Sequence, residues 1–130
     1  MIVVDASVLL EALLQTPGAK SSEQRLFQPG ETLHAPHLLD VEVAQVIRRY
    51  ARNGDISAER GFVALQDLTD FPLRRYPHDF LLPRIWALRN NLTAYDAAYV
   101  ALAEALDTPL LTRDGRLAMA AGHGAQIELI

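Results

Sequence analysis

Asp5 directly follows the apolar run Ile2-Val3-Val4, and Asp114 follows Leu110-Leu111-Thr112 by one residue. Neither run alternates with polar residues, so both read as buried strands of a parallel sheet. Ligands of open parallel sheets bind beyond the carboxyl ends of the strands. Both acids therefore fall where a ligand would sit. A third, Asp96, lies in the first turn of a helix running from Ala94 to Leu106. That helix is apolar on every face, and such a helix is buried, which draws its N-terminal end toward the core. Taken singly, each acid has a structural use. Asp5 can cap the following helix, Asp96 can complement a helix dipole, and Asp114 can serve as a turn acid or cap. Taken together, three acids on one sheet edge repel, by roughly 4 kcal/mol per pair at a separation of about 4 Å and an effective dielectric near 20. A hard cation relieves that repulsion, and oxygen-only ligands point to Mg²⁺ or Mn²⁺.

A fourth acid comes from the helix Leu38 to Asn53. Its apolar stripe is Leu39, Val43, Val46, Ile47 and Tyr50. Asp40 and Glu42 flank that stripe on opposite sides, so either could reach a site beside the sheet. Helical phase alone does not choose between them.

Composition removes several alternatives. The chain has 130 residues, half of them hydrophobic, which fits one domain spanning 1–130. With no cysteine, disulfides, zinc-thiolate sites and thiol nucleophiles are excluded; a reducing, cytoplasmic setting is expected. No apolar run approaches a membrane span, and Met1 to Asp5 lacks the basic start of a signal peptide. Net charge is −4, so bulk charge does not attract nucleic acid. Eleven of the 12 cations are arginine, suited to gripping phosphate locally. Arg48, Arg49 and Arg52 cluster on the middle helix, and Arg113 and Arg116 flank Asp114; RNA phosphate contact and a solvated face are both open readings. His34, His37, His78 and His123 lack metal-ligand spacing and are expected on the surface or in loops. Trp86 is expected in the core or a dimer contact. Ser7 has no nucleophile-elbow pattern around it. The single lysine, Lys20, argues against a phosphoacceptor domain.

The elements that must position these acids alternate strand and helix. Helices are expected at Ala6–Leu14, Ser21–Phe27, Leu38–Asn53, from Ser57 to about Asp70, Phe80–Asn90, Ala94–Leu106 and Asp114–Ala120. Strands are expected at Ile2–Val4, Thr32–Ala35, Leu73–Tyr76, Pro109–Thr112 and Gln126–Ile130. The alternation predicts an α/β fold with a mostly parallel central sheet.

Four segments carry a resemblance. Asp5-Ala6-Ser7-Val8-Leu9, Leu39-Asp40-Val41-Glu42-Val43-Ala44, Leu92-Thr93-Ala94-Tyr95-Asp96-Ala97-Ala98-Tyr99 and Leu111-Thr112-Arg113-Asp114-Gly115-Arg116-Leu117 resemble the four motifs of the PIN domain. Their order, spacing and total length are similar to the VapC toxins of toxin–antitoxin modules. The resemblance implies a three-layer α/β/α sandwich and a metal-dependent endoribonuclease. It implies an acidic quartet of Asp5, Glu42, Asp96 and Asp114, choosing Glu42 over Asp40. Thr112 falls where such proteins carry a Ser or Thr that helps orient the site, and Ser7 is a weaker supporting candidate. Asp5 and Asp96 are expected as direct Mg²⁺ (or Mn²⁺) ligands. Asp114 is expected as a ligand or as the holder of a ligating water, and Glu42 in the same role or behind it. The implied partners are RNA, a small VapB-type antitoxin, and a second copy in a homodimer or dimer of dimers. The alternative is a catalytically silent PIN-like scaffold that binds RNA or protein.

Overall fold

Ile2, Val3 and Val4 are completely buried because their strand, β1 (Ile2–Val4), lies in the middle of the sheet. The computed structural model describes residues 1–130. After β1 come α1 (Ala6–Leu14), α2 (Ala19–Leu26), β2 (Leu33–Pro36), α3 (Leu38–Arg52) and α4 (Ala58–Asp70). Then follow β3 (Leu73–Tyr76), a 3-10 turn at Asp79–Leu81, α5 (Leu82–Ala87), α6 (Ala94–Leu106), β4 (Leu110–Thr112), α7 (Gly115–Ala118) and β5 (Ile127–Leu129).

The five strands are all parallel, in the order β3-β2-β1-β4-β5. Chain direction steps from β1 outward to β2 and β3, then jumps back past β1 to β4 and continues to β5. Right-handed crossovers therefore put α1 to α4 on one face and α5 to α7 on the other. In agreement, α1 packs with α2, α3 and α4, while α6 lies on β1, β2 and β4 with α5 against it. The expected three-layer α/β/α sandwich is thus formed. The step reverses between β1 and β4, where Val3 pairs with Leu110 and Val4 with Leu111. That reversal opens a crevice at the strands' carboxyl ends.

Helix α6 buries every residue from Ala97 to Ala103, as its all-round apolar pattern predicts. Its alanines let the helix approach the sheet closely. Helix α3 ends where expected, with Gly54 in the left-handed region (φ 78°) just past the Asn53 cap.

Three expectations are corrected. The predicted Phe80–Asn90 helix is shorter, a 3-10 turn followed by six helical residues. Pro83 can sit only in a first turn, so the α-helix proper begins beside it. Trp86 is 68% exposed and carries Arg89 over its ring at 4.6 Å, so of its two expected places, core or dimer contact, the core is ruled out. His34 is buried in β2. It bridges Thr32 Oγ1 at 2.8 Å and Tyr76 Oη at 2.7 Å, and burial holds its pKa below the ordinary imidazole value.

Candidate active site

Asp5 ends β1 and is only 7% exposed. Its carboxylate accepts at both ends. Oδ1 takes the Ser7 hydroxyl at 2.5 Å and, more weakly, the Val8 amide at 3.4 Å. Oδ2 takes the Thr112 hydroxyl at 2.5 Å. Asp5 is therefore the cap of α1 and a member of the acid group at once; the two readings do not compete. Burial raises its pKa, and these hydrogen bonds oppose the rise without cancelling it.

The choice on α3 is made by packing. Asp40 turns toward β3 and α4, where Arg75 Nε meets its Oδ2 at 2.8 Å. Arg75 also donates to the Leu68 carbonyl at 2.8 Å, so this pair ties α3, α4 and β3 together. Glu42 turns the other way and is half-buried. Its pKa is raised by burial first, then by the charges of Asp96 and Asp5, while a hydrogen bond from Tyr99 lowers it. The resemblance and the packing thus agree on Glu42 as the acid beside Asp5 and Asp96.

Periodicity shows Tyr99 only as part of the all-round apolar helix α6. It is fully buried, and its hydroxyl donates to Glu42 Oε1 at 2.5 Å. Burial, that bond and the nearby charges of Glu42, Asp5 and Asp96 drive its pKa far up, so it stays a neutral donor. A signal was available. A buried tyrosine hydroxyl needs a partner, and Tyr99 follows Asp96 by three residues, on the same helix face.

Asp96 stands in the first turn of α6, whose N-terminus Thr93 caps by accepting the Asp96 amide at 3.2 Å. Its pKa is raised by burial and then by the charge of Asp114, against lowering contributions from Thr93 and Arg116. Asp114 caps α7 by accepting the Arg116 amide at 2.9 Å. Its own amide donates to Thr112 Oγ1 at 3.0 Å. Thr112, with no exposed surface, is thus the link between Asp5 and Asp114. The Arg116 guanidinium lies 3.8 Å from Asp114 but is 96% exposed, too solvated to neutralise the site.

The structure therefore links the four acids in pairs near the carboxyl ends of β1 and β4, Asp5 to Asp114 through Thr112, Glu42 to Asp5 and Asp96, and Asp96 to Asp114 by charge, and it takes Asp40 away from them. A concavity of about 290 Å³ covers Asp96 and Asp114. An apolar groove of about 420 Å³, lined by Leu10, Leu38, Val41, Val46 and Tyr95, adjoins Glu42. No three Asp, Glu or His side chains converge closely enough to hold an ion as they stand. The donor set nevertheless suits a hard divalent cation. It is oxygen-only, and burial together with mutual charge pushes Glu42 and Asp96 toward protonation, a bias that a bound cation would reverse.

Comparison with known proteins follows the same lines. A family model for the PIN domain matches residues 2–122. Ribonuclease VapC12 of Mycobacterium tuberculosis is 45% identical over 130 residues, covering 100% of this chain and 99% of that protein. Ribonuclease VapC9 of the same species is 48% identical over 117 residues, covering 90% and 88%. The crystal structure of VapBC2 from Rickettsia felis bound to a DNA fragment from their promoter aligns with a TM-score of 0.71 at 12% identity, covering 99% of this chain and 98% of that one; this likeness is one of fold. The chain belongs to the PIN-domain family, and within it to the group of the VapC ribonucleases.

Proposed function

We propose that this protein is a metal-dependent endoribonuclease that hydrolyses phosphodiester bonds in RNA, acting as the toxin of a VapBC-type toxin–antitoxin pair. The observation that carries the reading is the four-acid crevice at the β1–β4 switch point, in a chain 45% identical end to end to a VapC ribonuclease. Asp5 and Asp96 would hold Mg²⁺ or Mn²⁺ directly. Asp114 and Glu42 would complete the shell or fix it by hydrogen bonds. When bound, the cation supplies Lewis acidity at a phosphate oxygen and makes water a competent nucleophile near neutral pH.

The chain's own residues supply orientation. Ser7 and Thr112 fix both oxygens of Asp5 and so hold its carboxylate in one orientation. Thr112 also sets the position of Asp114 through its amide. Tyr99 holds Glu42 in one rotamer and keeps an oxygen of it engaged. Burial lowers the local dielectric, which strengthens the hold of these carboxylates on any cation. A cytoplasmic setting, a VapB-type antitoxin and a homodimer or dimer of dimers belong to the same reading.

The test is incubation of the purified protein with total RNA in Mg²⁺ and in EDTA, with cleavage sites mapped. Cuts that require the metal and vanish in Asp96→Asn support it. RNA binding without cleavage, in Mg²⁺ or Mn²⁺, replaces it with a silent PIN-domain scaffold.

A further inference from the structure

Beside the acid crevice lies a second cleft of about 330 Å³, lined by Ser7, Glu11, Thr16, Arg49, Tyr50 and Arg113. Ser7 joins the two. Its hydroxyl donates to Asp5 Oδ1 and accepts the Arg113 amide at 3.1 Å. Arg113 sits between Thr112 and Asp114 in sequence, yet its side chain lines this second cleft with Glu11. The cleft is a built feature. Glu11 accepts from the Thr16 hydroxyl and from the Gly18 amide at 3.1 Å, and lies 3.4 Å from Arg113 Nε. A side chain at position 18 would intrude here, since a Cβ would lie 2.6 Å from Glu11 Oε2 and 3.0 Å from Arg113 Cζ.

The arginines are distributed unevenly. Arg25, Arg60, Arg75, Arg84 and Arg89 donate to carboxylates or carbonyls, and Arg74 lies over Tyr76. The Arg113 guanidinium makes a single contact, the 3.4 Å ion pair with Glu11, and Arg116 is nearly all in solvent. Arg48, Arg49 and Arg52, on the last turns of α3, are exposed, and no hydrogen bond or ion pair engages their guanidinium groups. In a chain of net charge −4, the second cleft is lined by both Arg49, whose guanidinium has no partner, and Arg113, held only by the 3.4 Å contact to Glu11. Guanidinium groups so placed match a phosphate diester.

We infer that the Arg49–Arg113 cleft binds the phosphate of a nucleotide neighbouring the one at the acid crevice, so that single-stranded RNA runs from the four acids across Ser7 toward the C-terminal end of α3. The inference rests on the ribonuclease reading for the strand's direction, and on its own residues for the phosphate.

The test is fluorescence anisotropy with a labelled single-stranded oligouridylate, in EDTA, across a sodium chloride series. Each phosphate contact on a single strand adds about 0.7 to the slope of log affinity against log salt. Arg49→Ala and Arg113→Ala should each lower the slope by about that much, and the double variant by about 1.4. Arg49→Lys should keep the slope, and Arg89→Ala, beside Trp86, should leave it at the wild-type value. Arg49 has no partner to lose, so Arg49→Ala folds even if Arg113→Ala does not. Wild-type slopes in both alanine variants overturn the cleft assignment while leaving the ribonuclease reading untouched if Mg²⁺-dependent cleavage persists. Slopes that fall without any cleavage keep the cleft and overturn the ribonuclease reading. No RNA binding and no cleavage by the wild type overturns both.

Discussion

Thr112 Oγ1 donates to Asp5 Oδ2 at 2.5 Å across 107 residues of sequence, and the same oxygen accepts the Asp114 amide. One buried hydroxyl therefore sets the distance between the acids that end β1 and follow β4. Thr112→Val keeps the shape and removes both bonds. It should destabilise the fold by about 1–3 kcal/mol, the range for leaving buried polar groups unsatisfied. It should also raise the Asp5 pKa further, because the Thr112 bond is one of the contributions holding it down. Cleavage should fall by at least tenfold and Thr112→Ser should restore most of it. Cleavage kept in Thr112→Val, or lost as fully in Thr112→Ser as in Thr112→Val, would overturn the hydroxyl as the group that sets the site.

The two acids of α3 make a paired experiment. Asp40→Asn loses an ion pair with Arg75 in which both side chains are partly solvated, so the stability change should stay within about 1 kcal/mol and RNA cleavage should survive. Glu42→Gln should abolish most cleavage with the fold intact by circular dichroism. Tyr99→Phe, which frees Glu42 without removing it, should fall between them. Cleavage lost in Asp40→Asn and kept in Glu42→Gln would reverse the assignment.

The legibility of these features differs for physical reasons. Strand and helix order could be read because apolar runs bounded by turn residues leave few choices, as at Ile2–Val4 and Leu110–Thr112. Asp5 and Asp114 could be placed because strand ends fix where a ligand binds. Asp40 and Glu42 could not be separated by period, since the two flank one stripe. Only the Arg75 side chain on β3 makes the difference, and that contact spans 35 residues. Tyr99 was hidden because hydropathy counts its ring and not its hydroxyl. His34 escapes the sequence for a related reason: a histidine without ligand spacing can still be a core residue once Thr32 and Tyr76 satisfy both nitrogens.

The apolar groove beside Glu42 gives a prediction about the antitoxin. Val41 is well exposed on its rim. A VapB-type tail that places an arginine among the acids and apolar residues along this groove would stop cleavage at a fixed stoichiometry. Val41→Glu should weaken that inhibition at least tenfold while RNA cleavage without antitoxin persists. Inhibition that survives both Val41→Glu and truncation of the antitoxin tail would place the contact elsewhere.

The last prediction concerns the energetic consequence of gathering the acids. Asp5, Glu42 and Asp96 all have pKa values raised above the ordinary carboxyl range. A raised folded-state value means the native protein binds protons more tightly than the unfolded chain. In metal-free protein, these groups therefore subtract stability as pH rises from the ordinary carboxyl value through the raised one. Glu31 and Glu104, whose values are lowered by their cationic partners, act in the opposite sense, so the total curve mixes both. Asp96→Asn isolates one contributor. It gives up about 0.3–1 kcal/mol of helix-dipole stabilisation and relieves both desolvation and repulsion from Asp114. In EDTA the variant should melt above wild type near neutral pH, and the gap should close as pH falls below the ordinary carboxyl value. Mg²⁺ should act the other way. At about 100 times its dissociation constant it should stabilise wild type by roughly 2.7 kcal/mol and the variant much less. Thermal melts at several pH values, in EDTA and in Mg²⁺, read both effects. A variant that melts lower in EDTA at every pH would make Asp96 a helix-terminal acid with no part in a shared charged site.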